Sequence, residues 1–338
     1  MKNSGQIISG TSEFDDPSHL PGNGTDTQKR TLVLQAVHHG RRLDHVLVEL
    51  VPEFSRHYLQ QLVDSGAVCL NGKPLSKAAY RVRMSDHICI ELRPTPQTQA
   101  FKAEQLALDV VYADDHLLVI NKPAGLVVHP APGHWSGTLM NALLGLDDHA
   151  FALPRAGIVH RLDKDTSGLM VVARKRSVMD ALVQAMAARE VQRQYVALAH
   201  GAWHGPVQRV VDAPIGRDPV HRLRMAVLDE TRHTAKAART DIVHLQSGDN
   251  GCLVQCTLHT GRTHQIRVHL ASIKHPLVSD ILYGGHLTAG MHRQALHAYR
   301  LAFMHPVSQQ IMVFRADLPL DMAGALDDWR LNYNLNQI

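Results

Sequence analysis

Apolar residues first recur at helical spacing between residues 43 and 51. Leu43, Val46, Leu47, Leu50 and Val51 fall at i, i+3, i+4, i+7 and i+8, one face of an amphipathic helix, and Pro52 stops it. A second stripe, Tyr58, Leu59, Leu62 and Val63, predicts another helix, with Ser55 as its N-cap and Gly66 as its C-terminal stop. The period then drops to two. Val68 and Leu70 alternate into Asn71-Gly72, a dipeptide suited to a two-residue hairpin, and Ile88, Ile90 and Leu92 alternate as a closing strand. Residues 31–94 therefore read as a small domain of two helices and short strands. Residues 95–105 carry proline and glutamine and read as a linker.

Beyond residue 106 the apolar runs are stronger. Val110–Tyr112 and Leu117–Ile120 predict strands about an Asp114-Asp115 turn, and Gly137–Leu144 predicts a short helix. Ile158-Val159 and Leu169–Ala173 read as buried strands around a polar loop. Ser177 and Asp180 suggest a capping box for a helix that buries Val178, Ala181, Leu182, Ala185 and Met186. A strand through Gln192–His200 carries Tyr195, and Leu253–Leu258 leads to a helix with Thr263 as N-cap. Many strands, short helices and no regular βαβ alternation predict an α+β domain over 106–325, with a mixed, mostly antiparallel sheet. Residues 1–30 are polar and aperiodic and read as a disordered tail; 326–338 read as a C-terminal tail.

Composition narrows the function classes. A chain of 338 residues with 45% hydrophobic residues is long enough for two cores. No apolar run of about 18 residues offers a membrane span, and no basic-then-apolar leader is visible, so a cytoplasmic protein is expected. The four cysteines form no C-x-x-C pair and the 24 histidines show no zinc spacing, so neither metal nor cofactor is expected. Residues 1–28 hold one basic and four acidic residues; the rest carry 34 basic against 27 acidic. A moderately basic body suits a polyanionic partner.

The densest chemistry lies in residues 157–174, G-I-V-H-R-L-D-K-D-T-S-G-L-M-V-V-A-R. Asp163, pinned between apolar runs and beside Arg161 and Lys164, can be oriented rigidly as a carboxylate. The plainer alternative is a charged loop in which Thr166 and Ser167 close a turn. A second cluster, T-G-R-T-H-Q-I-R at 260–267, puts Arg262 at a helix start, an electropositive corner suited to a phosphate or a carboxylate. Arg217, Arg222 and Arg224 lie in a Gly- and Pro-containing segment suited to clamping an irregular RNA backbone, or simply to solvent.

H-R-L-D-K-D-T-S-G at 160–168 resembles the signature of the RluA family of RNA pseudouridine synthases. N-K-P-A-G-L-V-V-H-P at 121–130 and T-G-R-T-H-Q-I-R resemble two further family signatures, and the helix-helix-strand pattern with Arg42, Ser55, Arg56 and Lys73 resembles an S4 RNA-binding domain. The resemblance covers about residues 32–322. It implies isomerisation of uridine to pseudouridine without cofactor, with Asp163 as the essential residue. Arg262 is then its partner, Tyr195 lies against the base, and Arg161 fills the space a flipped base leaves. It also implies RNA contact through Arg42, Ser55, Arg56 and Lys73. Within the family the chain looks most like members acting on large-subunit ribosomal RNA, and a monomer is expected. Two departures stand out: Arg193 replaces the usual lysine two residues before Tyr195, and Ser279 and Ile281 replace Gly and Pro in S-D-I-L-Y-G. A non-catalytic S4-type RNA-binding protein is the rival class. A serine hydrolase built on Ser167 lacks the G-x-S-x-G elbow.

Overall fold

The computed structural model describes residues 28–51, 56–92, 101–131, 134–221, 223–229, 234–248 and 250–331. The expected caps and contacts at Ser55 and Arg222, and the outer parts of both tails, lie outside these residues. The chain divides into two compact units, 1–95 and 96–338.

The first unit is built as its pattern predicts. Helices α1 (Leu43–Leu50) and α2 (Arg56–Asp64) pack their apolar faces against a sheet. Its strands are β1 (Gln28–Val33), β2 (Val68–Leu70), β3 (Lys73–Pro74) and β4 (His87–Leu92), in the order β1-β4-β2-β3. Asn71 and Gly72 take φ of 51° and 81°, the left-handed pair a two-residue hairpin needs. The expected tail is shorter than 1–30, because Gln28, Lys29 and Arg30 pair with Leu92, Glu91 and Ile90. A neighbouring strand with free backbone groups outweighs the polar character of those three residues.

The second unit centres on one large sheet. Its strands are β5 (Asp109–Ala113), β6 (Leu117–Lys122), β7 (Ser167–Ala173), β8 (Gln192–His200), β9 (Gln208–Asp212), β13 (Arg239–Gly248), β14 (Gly251–Leu258), β15 (Leu296–Met304) and β16 (Ile311–Arg315). Among the described residues the order is β5-β6-β7-β15-β8-β14-β13-β9, with β16 also paired to β15. Only the β7–β15 pairing is parallel. A smaller sheet joins β10 (Ile215–Arg217), β11 (Met225–Val227) and β12 (Ala235–Lys236). Helices α3 (Leu139–Leu146), α4 (Arg176–Ala187), α5 (Gln265–Ser272) and α6 (Leu320–Asp328) cover the sheets. Strand β7 is buried at every position: Met170 and Val172 enter one core cluster, Leu169 and Val171 the other. That two-sided burial is why its sequence is uniformly apolar rather than alternating. Gly168, at φ +117°, is the second residue of β7, where a Cβ would run into the Ala298 backbone.

Several local expectations are corrected. Ile158-Val159 is no strand; Ile158 makes a single bridge to Val172. Lys175, not Ser177, stands at the N-cap of α4, without a side-chain cap. Asp180 is therefore a turn into the helix, where it takes Arg176 Nε at 3.0 Å. Thr138 does cap α3, its hydroxyl accepting from Asn141 N. The end of the expected linker is attached to the second unit: Glu104 N donates to Asn141 O at 3.0 Å and Asn141 Nδ2 to Lys102 O at 2.8 Å. Nor is 326–331 a tail, since Leu326, Trp329 and Leu331 are buried with Val196 and Leu253.

Candidate active site

Asp163 sits in the loop that enters β7, and buried polar groups fix that loop. Lys122, 1% exposed at the end of β6, donates from Nζ to the carbonyls of Pro123 (2.8 Å), Leu126 (2.9 Å) and Lys164 (2.9 Å). Burial lowers its pKa to about 8, and the nearby Asp165 and Asp163 charges oppose that shift. Arg293 Nη1 donates to Asp165 O at 2.9 Å, Gln294 Nε2 to Thr166 Oγ1 at 3.2 Å, and Thr166 N to Asp163 O at 3.1 Å. His160 Nε2 accepts from Val171 N at 3.1 Å; burial pushes its pKa down to about 3, so it acts as a neutral acceptor. The loop is long because its backbone is tied on both sides, not because it is slack.

The arginine that meets Asp163 is Arg267, not Arg262. Arg267 Nη1 reaches Asp163 Oδ2 at 3.1 Å, while Nε and Nη2 grip the two oxygens of Asp280 at 2.7 and 2.8 Å. Burial works against the charge of Arg267, but Asp280 and Asp163 outweigh it and raise its pKa above the ordinary value. The Arg262 guanidinium is exposed and donates from Nε to Ala237 O at 3.0 Å. The cause is the helix start. Thr263 is not the N-cap; His264 is, in a left-handed conformation at φ 57°. The first turn of α5 is thereby rotated, and Arg267 in that turn faces the loop. A legible signal existed: an arginine beside the buried stripe Ile266-Leu270 needs carboxylate partners, and Asp280 is one.

Asp163, Arg161, Tyr195, Arg262, His264 and Arg267 all line one cleft of about 1030 Å³. Tyr195, on β8, belongs to the same buried cluster as Ile266 and Met170. Burial raises its pKa, Arg193 opposes the shift and Asp163 adds to it, so the phenol keeps its proton. Arg161 is exposed at the cleft wall. Among the described residues no group of three or more His, Cys, Asp or Glu is gathered as a metal site.

The remaining predicted contacts divide between the two units, and Arg224 stands over the same Tyr283 ring as Arg267. Arg217 lies on β10; Arg224 lies near Asp218 (3.7 Å) and over the Tyr283 ring at 5.5 Å. In the first unit Asp44, fully buried, organises two predicted residues. Its carboxylate takes Arg42 Nε at 3.0 Å and Nη2 at 3.1 Å, Arg56 Nη2 at 2.7 Å and Gln60 Nε2 at 3.0 Å. The Arg42 bond, with help from Arg56 and Gln60, holds its carboxyl far below the usual range despite burial. Both arginines remain about half exposed, and Lys73 is exposed on β3.

A carboxylate–arginine pair in a cleft lined by Arg155, Arg161, Arg193 and Arg262 has the composition of an active site open to an anionic substrate. The comparisons make the class specific. Residues 116–272 match the family RNA pseudouridylate synthase and residues 41–88 the S4 domain. The chain belongs to the RNA pseudouridylate synthase family and is a pseudouridine synthase with an S4 domain. It is 42% identical to ribosomal large subunit pseudouridine synthase D of Neisseria meningitidis, covering 96% of this chain and 88% of that protein. The protein of the same name from Xylella fastidiosa is 45% identical, with 85% and 88% covered. Bacillus subtilis YlyB, an uncharacterized RNA pseudouridine synthase, is 41% identical over 86% of this chain and 95% of its own length. The solved human RNA pseudouridylate synthase domain containing 4 superposes with a TM-score of 0.53 at 25% identity, covering 67% of this chain and 94% of the other.

Proposed function

We propose that this enzyme converts uridines of large-subunit ribosomal RNA to pseudouridine, with Asp163 as the reacting carboxylate. The observation that carries this reading is the Asp163–Arg267 contact beside Tyr195 in the cleft. The ribosomal target is supported by relatives named as large-subunit enzymes that match most of the chain.

A base stacked in RNA cannot reach a carboxylate in a cleft, so the target nucleotide flips out. The protonated Tyr195 then lies against it, and Arg161 occupies the space vacated in the RNA. The N1–C1′ bond breaks, the base turns, C5 bonds to C1′, the C5 proton is lost and N1 takes one up. One carboxylate serves as nucleophile or base, and Arg267, held charged by Asp280, is its counter-ion. The first unit adds phosphate contacts through Arg42, Arg56 and Lys73, with Asp44 holding the two arginines in position. A ribosomal RNA substrate supports a cytoplasmic location.

The test is release of tritium from C5-labelled uridine in a ribosomal RNA transcript. Asp163→Asn keeps the side chain's shape and removes its charge. Release is expected to stop while RNA affinity stays within about tenfold. Turnover near the parent value would remove Asp163 from the reaction.

A further inference from the structure

His264 lines the same cleft as Asp163 and has no place in the chemistry above. Its position is set from both sides. Its carbonyl accepts from Val268 N at 2.9 Å, the first bond of α5, while its own backbone is left-handed. Histidine is among the non-glycine residues that tolerate that conformation. Its Nδ1 lies 2.8 Å from the Tyr283 hydroxyl, and that hydroxyl accepts from Met225 N at 2.9 Å. Tyr283 is 7% exposed and has the guanidinium of Arg267 over its ring at 5.0 Å.

The hydrogen-bond partners favour one tautomer of His264. Among the described residues Nδ1 is the one acceptor within reach of the Tyr283 O–H, so the hydroxyl can both accept from Met225 N and donate only when Nδ1 is bare. With Nδ1 bare, the ring proton is on Nε2. That atom has no partner among the described residues and is not sealed in the interior. Burial lowers the pKa of the ring; Asp163 and Asp280 oppose the shift while Arg267 and Arg161 add to it, and the net direction favours the neutral ring. A neutral N–H held rigidly in a cleft beside a carboxylate and a guanidinium is complementary to an acceptor that carries no charge.

We propose that His264 reads the flipped uracil, its Nε2–H donating to one of the two ring carbonyls, with Tyr283 as the positioning residue that fixes the tautomer. This rests on the reading that a uridine enters this cleft. Uracil offers O2 and O4 as acceptors, whereas its N3–H is a donor and would be repelled.

His264→Asn suits a left-handed position and retains a short polar group facing Tyr283, but it removes the Nε2–H. On a transcript with one target uridine, kcat/KM is expected to fall about tenfold, the worth of one neutral hydrogen bond, with the melting temperature unchanged. His264→Gln, whose amide reaches further into the cleft, is expected to recover part of the loss. Transcripts with 2-thiouridine or 4-thiouridine at the target identify the acceptor, since sulfur accepts hydrogen bonds weakly. The parent enzyme is expected to lose about tenfold on one of the two and His264→Asn to lose nothing more on that one. Tyr283→Phe is expected to behave partway towards His264→Asn on the same transcripts. Equal thio penalties in parent and variant, or a parent insensitive to both substitutions, would overturn the proposal. So would a loss beyond about a thousandfold in His264→Asn, which one hydrogen bond cannot supply. Failure of the uridine reading itself would show separately, as no tritium release by the parent on the unmodified transcript.

Discussion

At the scale of single residues the site depends on which arginine can reach Asp163. Arg267 makes three directed N–H bonds to two carboxylates, a geometry that a planar fork supplies and an ammonium does not. Arg267→Lys is expected to cut turnover at least about a hundredfold, a barrier change of about 2.7 kcal/mol. Arg262→Lys, altering an exposed group bound to a backbone carbonyl, is expected to leave turnover within about threefold. The two variants, compared by initial rates of tritium release, separate the pairing expected from the signature from the pairing the fold produces. If Arg262→Lys proves the more damaging, Arg267 is not the working partner of Asp163.

Among the elements, β7 carries the greatest constraint, because it lies between β6 and β15 and both its faces are covered. Gly168→Ala is expected to destabilise the second unit by at least about 2 kcal/mol, read as a lowered thermal midpoint, since the Cβ meets backbone and φ is left-handed. The neighbouring pair is acid-sensitive. His297 Nδ1 lies 2.9 Å from Ser167 Oγ in the β7–β15 seam, and burial pushes the pKa of His297 down to about 4. The unfolded chain binds this proton more readily than the folded one. Its contribution is therefore intact above about pH 6.5 and is lost as pH falls towards 4. At pH 5 the loss is about 2 kcal/mol from this residue, and His160, pushed to about 3, adds to it. Thermal midpoints measured from pH 7 to pH 4.5 are expected to fall, and less steeply in His297→Gln. A flat profile would mean that these histidines charge without cost.

For the whole molecule, the two units each have a hydrophobic core, and their tasks are expected to separate. Removing residues 1–95 is expected to leave an enzyme that still isomerises a short target RNA. Its binding to structured RNA should weaken, with the salt slope reduced by about 0.7–0.9 for each phosphate that is no longer neutralised. An unchanged slope would mean that Arg42, Arg56 and Lys73 do not touch the backbone. The sequence by itself determined the class of both units, because helix and strand periods and the Asn71-Gly72 turn are local properties of neighbouring residues. Contiguous runs that resemble known signatures singled out Asp163 and Tyr195, and both line the same cleft. Arg267 left only a partial signal, an arginine beside a buried stripe; that it rather than Arg262 meets Asp163 was not legible. Choosing between two arginines five residues apart requires the phase of α5, and that phase is set by a left-handed His264 held by Tyr283, 19 residues away. The buried Asp44 that gathers Arg42 and Arg56 was hidden for the same kind of reason, since a charge inside a core is intelligible only once its partners are in place. Local pattern decides what each segment becomes. Which charges end within about 3 Å of one another depends on long-range packing, and only the tertiary structure supplies that.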